Sequence, residues 1–525
     1  MEFCNPILSG FYPDPSICEA EGKYYLVNST FAYFPGIPVF ESTDMVHWKQ
    51  IGNVIDRPEQ LDLNGLETSQ GVFAPTIRYW NGTFYVINTN VPKQGNFFVT
   101  AKDPRGPWSD PVFLKNCPGI DPSLFFDTDG KCYYIGTREN SLGSRYYGDN
   151  EIWLRELDLK TGELIGEDSV LWNSALKDAV WPEGPHVYHI GEWYYVMIAE
   201  GGTGDDHAIT IARSRNLRGP YEGCRKNPII THRHLGGKFP IVYVGHGDLV
   251  QYKDGSWYMI LLASRPCEGY IGLGRETFLA KVEWEEEWPV VNPGLGRLAM
   301  EGDPGILPQK YSHSYEEDFA AGVIPLDMMT LRTPVDGFIY GGINRSGFLS
   351  FHNNKLWIHC KKETLSEREN GAYLAIRQKS YHYQTELCLK LQPDQAEDSA
   401  GIAVLQNQDN YLAVAVSAIN KISHEMAVKV IKHCKGKSEL LAQAAITMSE
   451  EDKITIFLEQ KAQKLAIRYE TAGNTGMLQK DMDTSYLSTN CAGGFVGNTI
   501  GIYASGQGQP SEGTAEIYRF HYTDL

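Results

Sequence analysis

Long apolar runs are missing from this sequence. None approaches the roughly 20 residues that a membrane-spanning helix needs, so no membrane partner is expected. Cationic charge is also short. Lys and Arg number 47 against 65 Asp and Glu, a formal net charge of −18. Such a surface repels a polyanionic backbone, which argues against nucleic acid and leaves uncharged ligands open. The ten cysteines are scattered with no C-x-x-C pair, the pattern of reduced thiols rather than a disulfide framework. The opening MEFCNPILSGFYPDPS has no basic region ahead of an apolar core, so the sequence reads as cytoplasmic. G-x-x-x-x-G-K-[ST], H-E-x-x-H and G-x-S-x-G are all absent. GLGRET (Gly272 to Thr277) is too incomplete for a dinucleotide loop, and His232 and His234 in THRHLGG read as loop residues rather than metal ligands.

What is abundant is glycine, 52 residues, and aromatic side chains, 12% of the chain. With little helical periodicity, that composition points to an all-β protein rich in turns. Five segments share one pattern: an apolar run, a turn glycine, then an aromatic-rich strand. They are DPSICEAEGKYYLVNST from Asp14, APTIRYWNGTFYVINT from Ala74, DPSLFFDTDGKCYYIGT from Asp121, EGPHVYHIGEWYYVMIA from Glu183 and GDLVQYKDGSWYMILLA from Gly247. Apolar runs flanking a turn Gly are a hairpin signal. The glycines, Gly22, Gly82, Gly130, Gly191 and Gly255, recur every 48 to 64 residues, the spacing of four-stranded propeller blades. The unit's first residue precedes its glycine by eight positions in four copies and by nine in the copy at Asp121.

Equivalent hairpins have equivalent starts: Asp14, Ala74, Asp121, Glu183 and the His246-Gly247 step. A propeller aims these starts at its axis, so three carboxylates meet there. Folding does not require that, because buried like charges repel and desolvate one another. Glycosidic cleavage does require it. One acid protonates the leaving oxygen, a second carboxylate works from the other face of the sugar, and a third charge raises the acid's pKa. Asp before Pro-Ser is also a common turn residue, which is the plainer account of Asp14 and Asp121 taken singly.

The chain is too long for one propeller of about 300 residues. A Pro-, Gly- and charge-rich stretch from Pro289 to Phe319 marks a change of domain. We read residues 1–300 as a five-bladed propeller, 301–315 as a linker and 316–525 as a β-sandwich. The sandwich reading rests on alternation in Tyr373 to Gln392, Gly401 to Ser417 and Lys453 to Glu470. Ser438 to Ala445 reads as a helix.

YPDPS (Tyr12 to Ser16), STFAYFPGIPVF (Ser29 to Phe40), GIDPSLFFD (Gly119 to Asp127), WPEGPHVY (Trp181 to Tyr188), EGGT (Glu200 to Thr203) and GHGDLV (Gly245 to Val250) resemble glycoside hydrolase family 43. The resemblance extends through LGRETFLAKVEWEEEWPVVN (Leu273 to Asn292) and is nearest to the family's β-xylosidases with a C-terminal sandwich. It implies a five-bladed propeller followed by a jelly-roll, concanavalin-like sandwich, and hydrolysis with inversion. It places the general base at Asp14, the general acid at Glu183 and the residue that tunes and orients the acid at Asp121. It also implies sugar contacts at Phe31, Phe73, Thr203, His246, Arg265 and Phe495. Phe73, in GVFAPT, stands where Trp is usual, a smaller wall that would admit arabinofuranose or larger groups.

The expected substrates are xylo-oligosaccharides or arabinofuranosides, the expected assembly a homo-oligomer (dimer or tetramer), and no cofactor is required for bond breaking. The resemblance allows a structural Ca2+ near the axis, touched by His246. Imidazole suits a hard cation poorly, and a neutral His hydrogen-bonded to Asp14 or Asp121 is an equal reading. The competing class is a sugar-binding propeller without catalysis, for which three carboxylates have no use.

Overall fold

The computed structural model describes residues 2–308, 313–333, 348–420, 425–449 and 452–525. Five antiparallel sheets follow one another along the first part of the chain. Their innermost strands are Ser16–Ala20, Thr76–Trp80, Ile120–Phe126, Glu183–Ile190 and Val242–Gln251. Each pairs with the next strand across one of the anticipated glycines. Gly22, Gly82, Gly130, Gly191 and Gly255 all have positive φ, from 62° to 89°. A Cβ at any of them would meet nothing within 4 Å, so backbone conformation, not space, demands glycine there.

Apolar side chains fill the gaps between neighbouring sheets. Phe125, Ile152, Leu154, Val187 and Val196 pack between the third and fourth blades. Ile152 and Leu154 are completely buried, each worth about 1.5–3 kcal/mol relative to exposure. The ring closes between blades five and one without a shared sheet. Asp248 supplies the clasp. Its Oδ2 accepts hydrogen bonds from Ser16 Oγ (2.8 Å) and Ile17 N (3.2 Å) of blade one and Arg78 Nη1 (2.8 Å) of blade two. Its Oδ1 accepts from Tyr188 Oη of blade four at 2.7 Å.

The second domain is a sandwich of two large sheets. Strand His382–Gln392 alternates buried and open residues along its length, as its sequence pattern requires. Ser438 to Ala445 is not a helix. Lys437–Thr447 is an edge strand paired along its length with Glu425–Cys434. Its Leu, Ala, Gln and Glu favour helix locally, but a ladder of hydrogen bonds to an already formed sheet overrides that weak preference.

The two domains share structure. Tyr33–Phe34 of the first blade pairs with Met329–Leu331 and becomes an edge strand of a sandwich sheet. Loop 271–275 lies against the sandwich, held by Asn498 N to Gly272 O (2.8 Å) and Thr489 N to Ile271 O (2.8 Å). Gly274 and Gly497 make this crossing possible, since a Cβ on Gly497 would stand 2.3 Å from the Leu273 carbonyl oxygen.

Candidate active site

Asp14 and Asp121 immediately precede or open innermost strands, Glu183 begins one, and His246 lies within one. Asp14, Asp121 and His246 have φ of 52°, 51° and 41°, a region non-glycine residues rarely adopt. Register shifts between Ile120 and Ser123, Glu183 and His186, and Gly245 and Gly247 mark bulges at three of these starts. The bulges turn side chains that would otherwise lie in a blade toward the axis, at about 1–3 kcal/mol for each strained residue.

Asp14 is buried and heavily partnered. It accepts from Ser29 Oγ at 2.6 Å and from Arg275 Nη1 at 2.8 Å, while His246 Nδ1 stands 3.9 Å away, beyond hydrogen-bond range. Burial alone would raise its pKa. Arg275, His246 and Ser29 outweigh it and hold Asp14 below the usual carboxylate range. Asp121 accepts from the backbone N of Gly184, the residue after Glu183, at 3.2 Å. Burial and the charge of Asp14 push Asp121 up to about 6, against the opposing pull of His246. Glu183 is half-buried and goes well above the carboxylate range, driven by desolvation, then Asp121, then Asp14. One guanidinium thus serves three carboxylates, and it lies against Asp14. The arrangement pushes Asp14 down and Glu183 up, the directions that a base and an acid need.

Phe31, Phe73 and Phe495 come together as one aromatic wall. Phe31 stacks on Phe495 at 5.9 Å between centroids and meets Phe73 edge-on at 5.3 Å. Phe495 belongs to the sandwich, where its N donates to Ser69 Oγ of the propeller at 2.8 Å. It is 40% exposed and lies beside Arg275, whose Nη2 donates to the Phe495 carbonyl at 3.4 Å. The second domain therefore contributes to this site. Thr203 lies on the loop whose Gly202 packs against the Trp181 ring, two residues before Glu183 in sequence.

Arg265 is placed differently from the expectation. Its Nε and Nη2 bind Glu276 at 2.7 Å each, so the guanidinium is committed to an internal pair. Arg275, ten residues on, is the arginine at the carboxylates. The two arginines bracket one loop: Arg265 follows the strand Trp257–Ser264 and is taken by Glu276, the first residue of the strand Glu276–Glu285, while Arg275 just before that strand turns to Asp14. GLGRET was the signal available for it. Ser29, His207 and Trp181 were also missed. The His207 ring sits against Gly245, where a Cβ would clash at 2.2 Å, and its Nδ1 lies 3.0 Å from the Tyr243 carbonyl oxygen. Burial lowers His207 to about 3, so it is neutral.

The axis suits a cation poorly. Asp14 and Asp248 already bind Arg275 and Arg78. Among the described residues no group of three or more His, Cys, Asp and Glu is arranged to hold a metal ion.

The profile of glycosyl hydrolases family 43 matches residues 3–289. This chain belongs to that family. The C-terminal concanavalin A-like domain of β-xylosidases matches residues 316–523. Family 43 relatives align over nearly the full chain. A xylosidase/arabinosidase of Butyrivibrio fibrisolvens is 46% identical over 523 residues, covering 98% of each chain. A non-reducing end α-L-arabinofuranosidase of Bacteroides ovatus is 36% identical over 541 residues, covering 100% of this chain and 95% of the relative. The crystal structure of a xylan β-1,4-xylosidase from Bacillus halodurans superposes with a TM-score of 0.89 at 28% identity, over 99% of this chain and 100% of the other. The protein is a glycoside hydrolase, and its two domains follow the architecture expected from its sequence.

Proposed function

We propose that the protein is an exo-acting, inverting β-1,4-xylosidase that releases xylose from the non-reducing end of xylo-oligosaccharides and also cleaves α-L-arabinofuranosides. The observation that carries this reading is the contrast between Asp14, hydrogen-bonded to Arg275 and Ser29 and held low, and Glu183, pushed up by burial and by Asp121 and Asp14. Glu183 gives its proton to the leaving oxygen as the bond from the anomeric carbon to that oxygen breaks. Asp14 takes a proton from a water whose oxygen forms the new bond to the anomeric carbon from the opposite face. Asp121 keeps Glu183 protonated through its charge, and its bond to Gly184 N orients the acid. Inversion requires about 6.5–9.5 Å between acid and base, room for that water. The Phe31–Phe73–Phe495 wall gives one sugar a closed apolar face, as an exo-acting pocket needs. Arg275 offers a planar donor fork suited to vicinal hydroxyls.

A second reading, mainly arabinofuranosidase, is favoured by Phe73, which leaves more room than the usual Trp. The names of the Butyrivibrio and Bacteroides relatives support both activities. We place bond breaking on side chains alone, since Asp14 and Asp248 are already bound to guanidinium groups; full activity in excess chelator is the expected outcome. Ten free thiols support a cytoplasmic setting. Long sandwich edge strands such as Lys437–Thr447, with Leu440 53% exposed, support a homo-oligomer, to be checked by sedimentation.

Proton NMR of xylobiose during hydrolysis tests the function. The α-anomer of xylose should appear first and then mutarotate. First appearance of the β-anomer would mean retention and would remove Asp14 from its role as water-activating base. If xylobiose is untouched and an arabinofuranoside is cleaved, the second reading holds.

A further inference from the structure

Glu200 ends strand Trp193–Glu200 of the fourth blade and is completely buried. Among the described residues no Lys or Arg is in hydrogen-bond contact with it. Its Oε2 instead accepts from the backbone N of Ala175 at 3.2 Å, and Leu176 N also points at the carboxyl. Its Oε1 has no partner. The surrounding groups are the Thr210 hydroxyl on the adjacent strand and, at longer range, the Arg233 guanidinium, which donates to the Asp206 carbonyl. A buried unpaired oxygen normally costs about 1–3 kcal/mol, and an apolar residue would avoid it. The hydrogen bond that the carboxyl does accept comes from outside its own blade, from Ala175 N.

What it holds is the segment 173–182, which leads from strand Glu163–Trp172 into Glu183. The second half of this segment is tied down by Tyr146 Oη to Ala179 O (3.0 Å), Gly201 N to Val180 O (2.9 Å), Trp181 N to Gly148 O (2.7 Å) and Thr137 Oγ1 to Pro182 O (2.6 Å). Trp181 itself sits at φ 47°, a strained conformation that persists only where its surroundings enforce it. Glu200 anchors the first half. Its neighbour Gly201 anchors the second, so one strand end grips both parts of the approach to Glu183. The cross-strand partner of Glu183 is Ala199, so this grip is one residue from the acid's own register.

We propose that Glu200 is a positioning residue for the general acid: it fixes segment 173–182 so that Glu183 points at the leaving oxygen. This rests on the assignment of Glu183 as the acid. Acid assistance matters for a sugar leaving group and hardly at all for dinitrophenolate, which leaves unaided. The test is kcat/KM on xylobiose and on 2,4-dinitrophenyl β-xyloside for the wild type, E183Q, E200A, E200Q and A175P. E183Q should lose about 10²–10⁴-fold on xylobiose and far less on the aryl xyloside. E200A should show the same split at about 10-fold, a fraction of that acid contribution. E200Q keeps an acceptor oxygen and should recover most of the xylobiose rate. A175P removes the N–H from which Glu200 Oε2 accepts while leaving the carboxyl itself in place, and should show the split even if E200A does not fold. Equal slowing of both substrates in A175P and E200A, or no slowing, overturns the proposal. If E183Q itself slows both substrates equally, the acid assignment fails instead.

Discussion

Asp248 and Glu183 occupy two layers of the same propeller axis, both reached from innermost strands, and their carboxyls are driven in opposite directions. Asp248 is fully buried, faces one guanidinium through both oxygens, and takes three further hydrogen bonds from Ser16, Ile17 and Tyr188. Burial raises its pKa, but Arg78 and the hydrogen bonds more than reverse this and hold it far below the carboxylate range. In the layer above, Arg275 is shared by Asp14, Asp121 and Glu183, and only Asp14 is bound to it. Burial raises every one of these carboxyls, and what separates them is whether neighbours reverse it: the ratio of carboxylates to guanidinium groups differs between the two layers. A balanced layer closes the ring, and an unbalanced one keeps a proton ready for transfer.

The largest contrast is in activity. D14N and E183Q should each lower kcat/KM on xylobiose by about 10²–10⁴-fold, E183Q with little change in thermal midpoint and D14N with a lower one, because it leaves Arg275 buried without its carboxylate. D248A should act on stability alone. Removing one partner of a buried pair typically costs about 3–5 kcal/mol, seen as a lower denaturant midpoint, while the folded fraction keeps its pH profile. Acid should weaken the same clasp. The folded pKa of Asp248 lies below the unfolded value, so its stabilisation is complete above the unfolded pKa of about 4 and is lost as pH falls below it.

Shifting the charge ratio in the upper layer should move the limbs of the pH–rate profile separately. R275M removes a cation that is bonded to Asp14 and acts only weakly on Glu183, so the acidic limb should move to higher pH by more than the alkaline limb does. D121N removes the charge that keeps Glu183 protonated, so the alkaline limb should fall. Equal movement of both limbs in R275M and in D121N alike would mean that the two carboxyls are not set by different neighbours. The smallest effect is expected from F495A. It should raise KM several-fold with kcat nearly unchanged, because an aromatic contact contributes about 0.5–1.5 kcal/mol beyond its area.

The hairpin glycines made the propeller and its three axial carboxylates legible, because a strand start at fixed distance from a turn is a local property. Arg275 was not legible. The choice between Arg265 and Arg275 depends on where Glu276 points, and that is set by packing across two strands and a domain boundary. Phe495 lies more than 400 residues beyond Ser69, yet bonds to it; only the family pattern gave a hint. Lys437–Thr447 misled because its residues favour helix while its neighbour strand offers a complete ladder. The clasp at Asp248 lay in plain sight within GHGDLV, but sequence alone does not reveal that Arg78 comes from another blade to meet it.

The most direct measurement is a carbon-13 NMR titration of the carboxyl carbons, with E183Q and D14N used to assign signals. One carboxyl should titrate well above the others and disappear in E183Q, while the signal lost in D14N should titrate below the ordinary range. A high-titrating signal that survives E183Q and vanishes in D14N would reverse acid and base and contradict the charge-ratio account.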